Sequence, residues 1–179
     1  MARATRGVRM RVASAADADA LARFACSTGP WFEQEVENHI RKDALARAER
    51  PQDDYRLVLF EQGAELWAVG AHRLEWLPLT DGSQAPMSHL AALALSVDVQ
   101  GQTAPDGRRY ADIALSGLLD DALRHRRERV AFALVALENV RSQRLCRRHG
   151  LVFETRAGPL RVRMTGRFTS KRHPPRPRG

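Results

Sequence analysis

Hydrophobic and polar residues alternate in some parts of the chain and recur at helical spacing in others. Alternation over 8–12 predicts a half-buried strand. Ser14, with Asp17 three residues later, is typical of a helix start. A longer helix is predicted over 31–48, where apolar residues recur every four positions. These anchors are Phe32, Val36, Ile40 and Ala44.

The middle of the chain is dominated by strand patterns. Strands are predicted over 55–60 and 66–77, joined by a turn at Gln62 and Gly63. The segment 78–88 is rich in Pro, Gly, Ser and Asp, which predicts an exposed loop. The apolar run 89–99 fits a helix or a strand by composition, because alanine and leucine favour helices and its ending Val-x-Val favours a strand.

The C-terminal third returns to helical spacing before further strands. A helix is predicted over 108–127, followed by a buried strand over 130–137. A short helix over 141–149 should end at Gly150, and two strands should follow within 151–168. The stripe of the longer helix consists of Ala111, Ala114, Leu115, Leu118, Leu119, Ala122 and Leu123.

Length and composition are those of an ordinary globular chain. Its 179 residues, 44% of them hydrophobic, predict one domain over 1–168. No apolar run approaches the ~20 residues that span a bilayer, and the start lacks a secretory pattern, so we expect a cytoplasmic protein without a membrane partner. The segment 169–179 is basic and Pro-rich, which predicts a disordered tail.

The net charge of +8, from 29 basic and 21 acidic residues, raises the question of a nucleic-acid partner. The distribution of the positive charge argues against such a partner. Much of the charge lies in the tail, and the rest clusters at 124–129 and 141–148, as is typical of solvated helix faces. The tail cations are Lys171, Arg172, Arg176 and Arg178. The two cysteines, Cys26 and Cys146, have no metal-ligand spacing and are expected to be reduced thiols, with no metal bound.

One motif carries chemistry. From Asn139 to Leu151 the chain reads Asn-x-x-Ser-x-x-Leu-Cys-x-Arg-x-Gly-Leu. This spacing resembles the second cofactor motif of the GCN5-related N-acetyltransferase (GNAT) superfamily, which usually reads Asn-x-x-Ala-x-x-Leu-Tyr-x-Lys-x-Gly-Phe. Cys146 stands where that superfamily usually has a tyrosine.

The resemblance extends loosely over residues 8–168 and implies an α/β (α+β) fold. Its features are a mixed, mostly antiparallel sheet, a central pair of splayed parallel strands, and helices on both faces. The parallel strands would be 93–99 and 130–137, so the resemblance favours a strand for 89–99. The implied co-substrate is acetyl-CoA, whose pantetheine arm would lie between these strands against Ser96, Val97 and Val99. Taken without the resemblance, the sequence favours ordinary strand residues at these three positions.

The resemblance also implies a diphosphate site at the start of the helix predicted over 108–127, where free amides attract anions. The superfamily pattern is Arg/Gln-x-x-Gly-x-Gly/Ala, and the aligned residues are Asp106, Gly107, Arg108, Arg109, Tyr110 and Ala111. Ala111 fits, whereas Asp106 and Arg109 replace the usual residues. The guanidinium groups of Arg108 and Arg109 could compensate by binding phosphate, or they could lie on a solvated first turn.

Further cofactor contacts would come from Asn139 and Ser142, although Asn139 also suits a helix cap. Cys146 could protonate the departing thiolate, or serve as a small core residue. His149 could tune that thiol or lie as a surface cap. No general base is identified, although Glu138 and His89 flank the expected cleft.

The acceptor would meet segments 31–50 and 78–88. Acidic and aromatic side chains of the first segment could attract a cationic amine, or could belong to an exposed amphipathic helix. These side chains are Trp31, Phe32, Glu33, Glu35 and Glu37.

The resemblance therefore implies an N-acetyltransferase that moves an acetyl group from acetyl-CoA directly to a primary amine of an unidentified acceptor. Two alternatives stay open: a catalytically degenerate acyl-CoA-binding protein and an arginine-rich nucleic-acid-binding protein. A steep fall of affinity with salt would mark the second alternative. A homodimer is compatible with the sequence.

Overall fold

The computed structural model describes residues 7–50, 54–78, 82–125 and 129–168, and the predicted tail 169–179 lies outside them. The chain falls into two compact units. Unit 1 comprises residues 1–71 and 92–114, and unit 2 comprises 72–91 and 115–179. The helices are α1 Ala18–Ala22, α2 Trp31–His39, α3 Leu45–Ala48, α4 Tyr110–His125 and α5 Val140–Arg148. The strands are β1 Val8–Val12, β2 Tyr55–Gln62, β3 Glu65–Pro78, β4 Gln84–Leu95, β5 Val130–Ala136, β6 Val152–Arg156 and β7 Arg161–Arg167.

The described strands form a sheet in the order β1-β2-β3-β4-β5-β7-β6. The pairs β1–β2, β5–β7 and β6–β7 are antiparallel, whereas β4 and β5 are parallel and are connected through α4. A parallel pair requires such a crossover, which explains the helix between these two strands. The predicted mixed, mostly antiparallel sheet with one central parallel pair is confirmed.

Unit 1 begins with β1, which pairs with β2 from Val8 opposite Gln62 to Val12 opposite Val58. The predicted helix start is present, since the amide and hydroxyl of Ser14 both donate to the Asp17 carboxylate. Arg11 bridges Asp17 and Glu61, with its Nη2 at 2.6 Å from an oxygen of each. These contacts hold the pKa of Asp17 far below its ordinary value, chiefly through the hydrogen bond from Arg11.

The predicted helix over 31–48 is present but not uniform. It runs as α2, a π-helical stretch at Ile40–Ala44, and α3. Ile40 and Ala44 are buried within this stretch. The apolar repeat every four residues predicted the helical span but could not indicate the wider turn.

Unit 2 is organised around β5, which pairs with β7 along its whole length, from Val130 opposite Arg167 to Ala136 opposite Arg161. The other edge of β5 meets β4 at two registered pairs, Ser88 with Ala131 and His89 with Phe132. Large side chains such as Phe132, Leu118 and Met164 are fully buried, as the apolar patterns of these elements require.

Two sequence predictions about β4 were wrong at their boundaries. The segment 78–88 is not wholly a loop, because β4 already begins at Gln84. Pro86 and Ser88 suggest a loop by composition, but pairing within a sheet overrides such weak preferences. The strand predicted over 89–99 ends at Leu95, and a turn follows. The remaining predicted helices and strands are confirmed within a few residues of their ends.

Candidate active site

The turn after β4 holds the three residues predicted to contact pantetheine. The Ser96 amide donates to the Trp67 carbonyl at 2.8 Å, and the Val97 amide donates to the Ala25 carbonyl at 3.0 Å. The Val99 amide closes the turn by donating to the Ser96 carbonyl at 3.1 Å. These amides already have acceptors, so the expected recognition through free strand amides does not apply to them. The Val97 side chain is 40% exposed and is the most accessible apolar group of this turn.

The predicted diphosphate turn is a compact loop closed onto the start of α4. The Gly107 amide donates to the Ala104 carbonyl, and the Ala104 amide donates to the Arg108 carbonyl at 2.7 Å. Gly107 has a φ of 83°, which explains why glycine occupies this position. These hydrogen bonds fix the backbone of the loop that leads into α4. An anion site at a helix N-terminus requires such a fixed backbone.

The first turn of α4 is capped at Arg109, whose carbonyl accepts the amides of Asp112 and Ile113. The Tyr110 amide donates back to the Gln102 carbonyl at 3.3 Å, whereas the Ala111 amide has no acceptor among the described residues. Ala111 is thus the position where the helix N-terminus offers a backbone donor.

The two arginines at this turn differ in their surroundings. The Arg108 guanidinium is paired with Asp106, with Nη2 at 2.6 Å and Nε at 2.8 Å from Oδ2. The hydrogen bond from Arg108 lowers the pKa of Asp106, so the carboxylate stays ionised and competes with any phosphate for the same guanidinium. Arg109 is exposed.

Tyr110 has a packing role at the start of α4. Its hydroxyl donates to Gln62 Oε1 at 2.9 Å, and its ring meets Trp67 edge-on with centroids 4.9 Å apart. Because the side chain is buried, only its backbone could face a cofactor.

The start of α5 joins the two motif residues Asn139 and Ser142. The Asn139 side-chain oxygen accepts the Ser142 amide at 3.0 Å, which is the helix-cap role that the sequence left open. Gln143 was not predicted, yet its Nε2 donates to the carbonyls of Ala136 and Leu137 at 3.1 and 2.8 Å. It thereby ties α5 to the end of β5.

Cys146 is buried in α5, only 5% exposed. Burial raises the pKa of its thiol to about 11. The thiol is therefore protonated at neutral pH and is a poor nucleophile. It holds a proton, as a general acid must, but sits in the environment of a core residue. His149 lies at the C-terminal cap of the same helix.

Two acidic residues of α2, Glu33 and Glu37, bind backbone amides and so do not present free carboxylates to an amine. Glu37 accepts the amides of Cys26 and Ser27 at 2.7 and 2.8 Å, and Glu33 accepts the Thr28 amide at 2.7 Å. Burial opposes ionisation of Glu37, but these amide bonds outweigh it and lower its pKa. Two of the predicted acceptor-binding residues thus order the segment before α2.

A cluster in unit 2 was only half anticipated. His89 on β4 was noted as a flanking residue, and its Nδ1 lies 2.8 Å from Glu75 Oε2 on β3. Arg73 Nη2 donates to the same oxygen at 2.9 Å. The imidazole is stacked on the Phe132 ring, with centroids 4.4 Å apart and planes 7° from parallel. Glu75 carried no sequence signal, because its partner is fixed only when β3 and β4 come together.

Within the described residues, no group of three or more His, Cys, Asp or Glu side chains is placed to hold a metal ion. None of the helices in those same ranges is long and apolar enough to cross a membrane.

Comparison with known proteins gives a fold but no sequence relative. No protein-family model and no curated protein matches this sequence. Among solved structures, the PaiA N-acetyltransferase from Thermoplasma acidophilum in complex with coenzyme A is similar over 90% of this chain and 99% of its own, with a TM-score of 0.65 and 13% identity.

Two further structures agree. The ribosomal-protein-S18-alanine N-acetyltransferase from Escherichia coli matches over 92% of this chain and 96% of its own, with a TM-score of 0.60 and 14% identity. YncA from Salmonella typhimurium, determined with its cofactor acetyl-CoA, matches over 95% and 98%, with a TM-score of 0.57 and 17% identity. The chain therefore has the fold of the GNAT superfamily.

Proposed function

We propose that this chain is an N-acetyltransferase that moves an acetyl group from acetyl-CoA directly to a primary amine. The observation that carries the proposal is the short parallel contact between β4 and β5, whose registered pairs among the described residues are Ser88–Ala131 and His89–Phe132. Beyond Phe132, β5 continues for four residues whose registered partners, within the described ranges, lie in β7. A fold that pairs these strands so briefly leaves backbone of β5 available to an extended ligand such as pantetheine.

The proposed cofactor contacts are the turn residues Ser96, Val97 and Val99, the α4 start at Gly107, Arg108, Arg109, Tyr110 and Ala111, and the α5 start at Asn139 and Ser142. The free Ala111 amide and the exposed Arg109 guanidinium support diphosphate binding, because an amide at a helix N-terminus and a guanidinium are both strong phosphate donors.

The chemistry needs little from the protein, because a thioester is already activated. The amine nitrogen attacks the carbonyl carbon, the carbon–sulfur bond breaks, and the products are an N-acetyl amine and coenzyme A. Cys146 is the proposed proton donor to the departing sulfur, and its raised pKa keeps the required proton in place at neutral pH. For Cys146 to act as this proton donor, the departing sulfur must come within hydrogen-bond distance of the buried thiol.

The test is thermal unfolding with and without acetyl-CoA, followed by an amine screen that detects free coenzyme A. A ligand at 100 times its Kd stabilises by about 2.7 kcal/mol. For a chain of this size that corresponds to a rise in Tm of about 5–10 °C. An unchanged Tm at millimolar acetyl-CoA would contradict the proposal.

A second candidate function is a non-catalytic acyl-CoA-binding protein. The burial of Cys146 and the capture of Arg108 by Asp106 favour it over an enzyme with a fully formed site. Release of free coenzyme A in the presence of an amine distinguishes the acetyltransferase from the binding protein. A chain that gains stability with acetyl-CoA, yet releases no coenzyme A with any amine, is the binding protein.

A further inference from the structure

A cavity of about 260 Å³ opens along one side of the helical segment that runs from α2 to the end of α3. Its lining consists of His39, Asp43, Ala46, Arg47 and Arg50. All of these residues belong to unit 1, and none is among the residues proposed above to hold acetyl-CoA. The cavity therefore has no role in the function proposed so far.

The π-helical stretch Ile40–Ala44 explains why these residues share one side of the segment. In a regular α-helix, residues eight positions apart are rotated by about 80° around the axis. The extra residue in a π-helical turn offsets most of that rotation, which aligns His39 with Arg47. Such turns are frequent at functional sites.

Tyr55, at the start of β2, holds two of the lining side chains in place. Its hydroxyl lies 2.7 Å from Nε2 of His39, and the Arg47 guanidinium lies over its ring at 4.7 Å from the centroid. A guanidinium is planar and donates its hydrogen bonds within that plane. Stacking on Tyr55 thus fixes the plane in which Arg47 donates.

The charge of the cavity favours an anion. Arg47 and Arg50 are cations at neutral pH, whereas Asp43 contributes a negative charge. Burial and, to a smaller extent, the charge of Arg47 lower the pKa of His39, so its ring is uncharged at neutral pH. Among the described residues, the lining therefore carries one net positive charge.

The lining is accessible from solvent. The His39 side chain keeps 24% of its surface exposed and the Asp43 side chain keeps 65%, and Arg50 is exposed. The volume lies just below the range of about 300–1,000 Å³ that is usual for drug-sized ligands, which points to a small ligand. Guanidinium groups bind carboxylate and phosphate oxygens through charge-assisted hydrogen bonds.

From this geometry we infer that the cavity binds a small oxyanion, a carboxylate or a phosphate group, between Arg47 and Arg50. Tyr55 is a positioning residue of this site, because it orients Arg47. Asp43 repels the bound charge and limits the affinity. The site is separate from the co-substrate site and does not depend on the proposed acetyl transfer.

The first test titrates the wild-type chain with inorganic phosphate and, separately, with acetate, and follows the ring resonances of His39 by NMR. A saturable shift is expected. The charges that act on His39 in the free chain are those of Arg47, Asp43 and Glu35. A bound anion offsets the charge of Arg47, so the pKa of His39 should rise when the site is filled. The ratio of the two Kd values shows which oxyanion the site prefers.

The second test changes the charges of the lining one at a time. Arg50→Gln should weaken phosphate binding about five- to tenfold, because it removes a charge-assisted hydrogen bond but leaves the stack on Tyr55. Asp43→Asn should tighten binding about two- to threefold, since it removes only an exposed repulsive charge. Lys42→Gln is the matched control, because Lys42 is an exposed cation of the same helical stretch outside the lining. It should leave the Kd unchanged.

Three outcomes would overturn the inference. The first is the absence of a saturable shift at about 100 mM of either ion, because such weak binding is too small for a specific site. The second is an equal loss of affinity in Arg50→Gln and Lys42→Gln, which would reflect general charge and not this cavity. The third is displacement of phosphate by acetyl-CoA, which would make the cavity part of the co-substrate site.

The same measurements keep this inference apart from the proposed function. Arg50→Gln should bind acetyl-CoA with the affinity of the wild-type chain. If the wild-type chain binds phosphate in this cavity but does not bind acetyl-CoA, the proposed function fails and the anion site stands. If it binds acetyl-CoA and neither oxyanion reaches His39, the anion site fails and the proposed function stands.

Discussion

Unit 2 contains two histidine–carboxylate pairs with nearly the same bond length, whose carboxylates differ in how much water can reach them. His72 and Asp121 are 2.9 Å apart, and the histidine is completely buried between β3 and α4. His89 and Glu75 are 2.8 Å apart, and their carboxylate keeps a third of its surface accessible. The length of the histidine–carboxylate hydrogen bond therefore does not by itself distinguish the two pairs. The Asp121 side chain keeps 12% of its surface accessible and the Glu75 side chain keeps 31%, so the two pairs differ in how readily water can replace a lost histidine.

The largest expected effect comes from breaking the enclosed pair. His72→Ala leaves Asp121 without this partner in a buried setting, which should cost about 3–5 kcal/mol of unfolding free energy. His89→Ala should cost only about 1 kcal/mol, since water can reach Glu75. Urea unfolding of the two variants measures the difference. Equal losses would show that accessibility does not separate the two pairs.

An intermediate effect is expected from the buried thiol of Cys146 at high pH. Its pKa rises from an ordinary 9.0 to about 11 on folding, so the folded state keeps a proton that the unfolded state loses. The stabilisation is complete below about pH 9 and is lost as the pH rises toward 11. Wild type should lose about 1–2 kcal/mol more than Cys146→Ala across this window. Parallel stability curves for the two proteins would contradict the burial argument.

The smallest effect concerns an exposed ion pair at the start of α4. Asp106→Asn should tighten acetyl-CoA binding by about two- to five-fold, because it frees the Arg108 guanidinium and removes a negative charge, and exposed charges contribute little. Arg108→Ala should weaken binding by a similar factor. Calorimetric titration of both variants checks the opposite directions. A change in the same direction for both would remove Arg108 from the diphosphate site.

Sequence patterns predicted most of the architecture because apolar periodicity is a local property. The stripe of α4 and the alternation of β1 are visible in consecutive residues, and both elements appear where expected. The boundaries of β4 were missed at both ends. Its first residues gain strand structure from pairing in the sheet, and its expected last residues gain turn structure from contacts such as the amide of Val97 with Ala25.

The candidate site was less accessible to sequence reasoning. The motif around Asn139 indicated a helix cap and the class of cofactor, because both are recognised from residues only a few positions apart in the sequence. Glu75 and His89 are fourteen positions apart, and nothing in either neighbourhood indicates that they meet. For Glu33 and Glu37 the sequence left two roles open, attraction of a cationic amine or a place on an exposed amphipathic helix, because it does not show which backbone amides a folded loop brings to them.

The account depends above all on acetyl-CoA as a ligand of this chain, and calorimetric titration of acetyl-CoA into the wild-type protein tests that claim most directly. We expect saturable binding of one molecule per chain. The Arg108→Ala, Arg109→Ala double variant should bind about tenfold more weakly or worse, which corresponds to about 1.4 kcal/mol. An absence of saturable binding at millimolar acetyl-CoA would contradict the account.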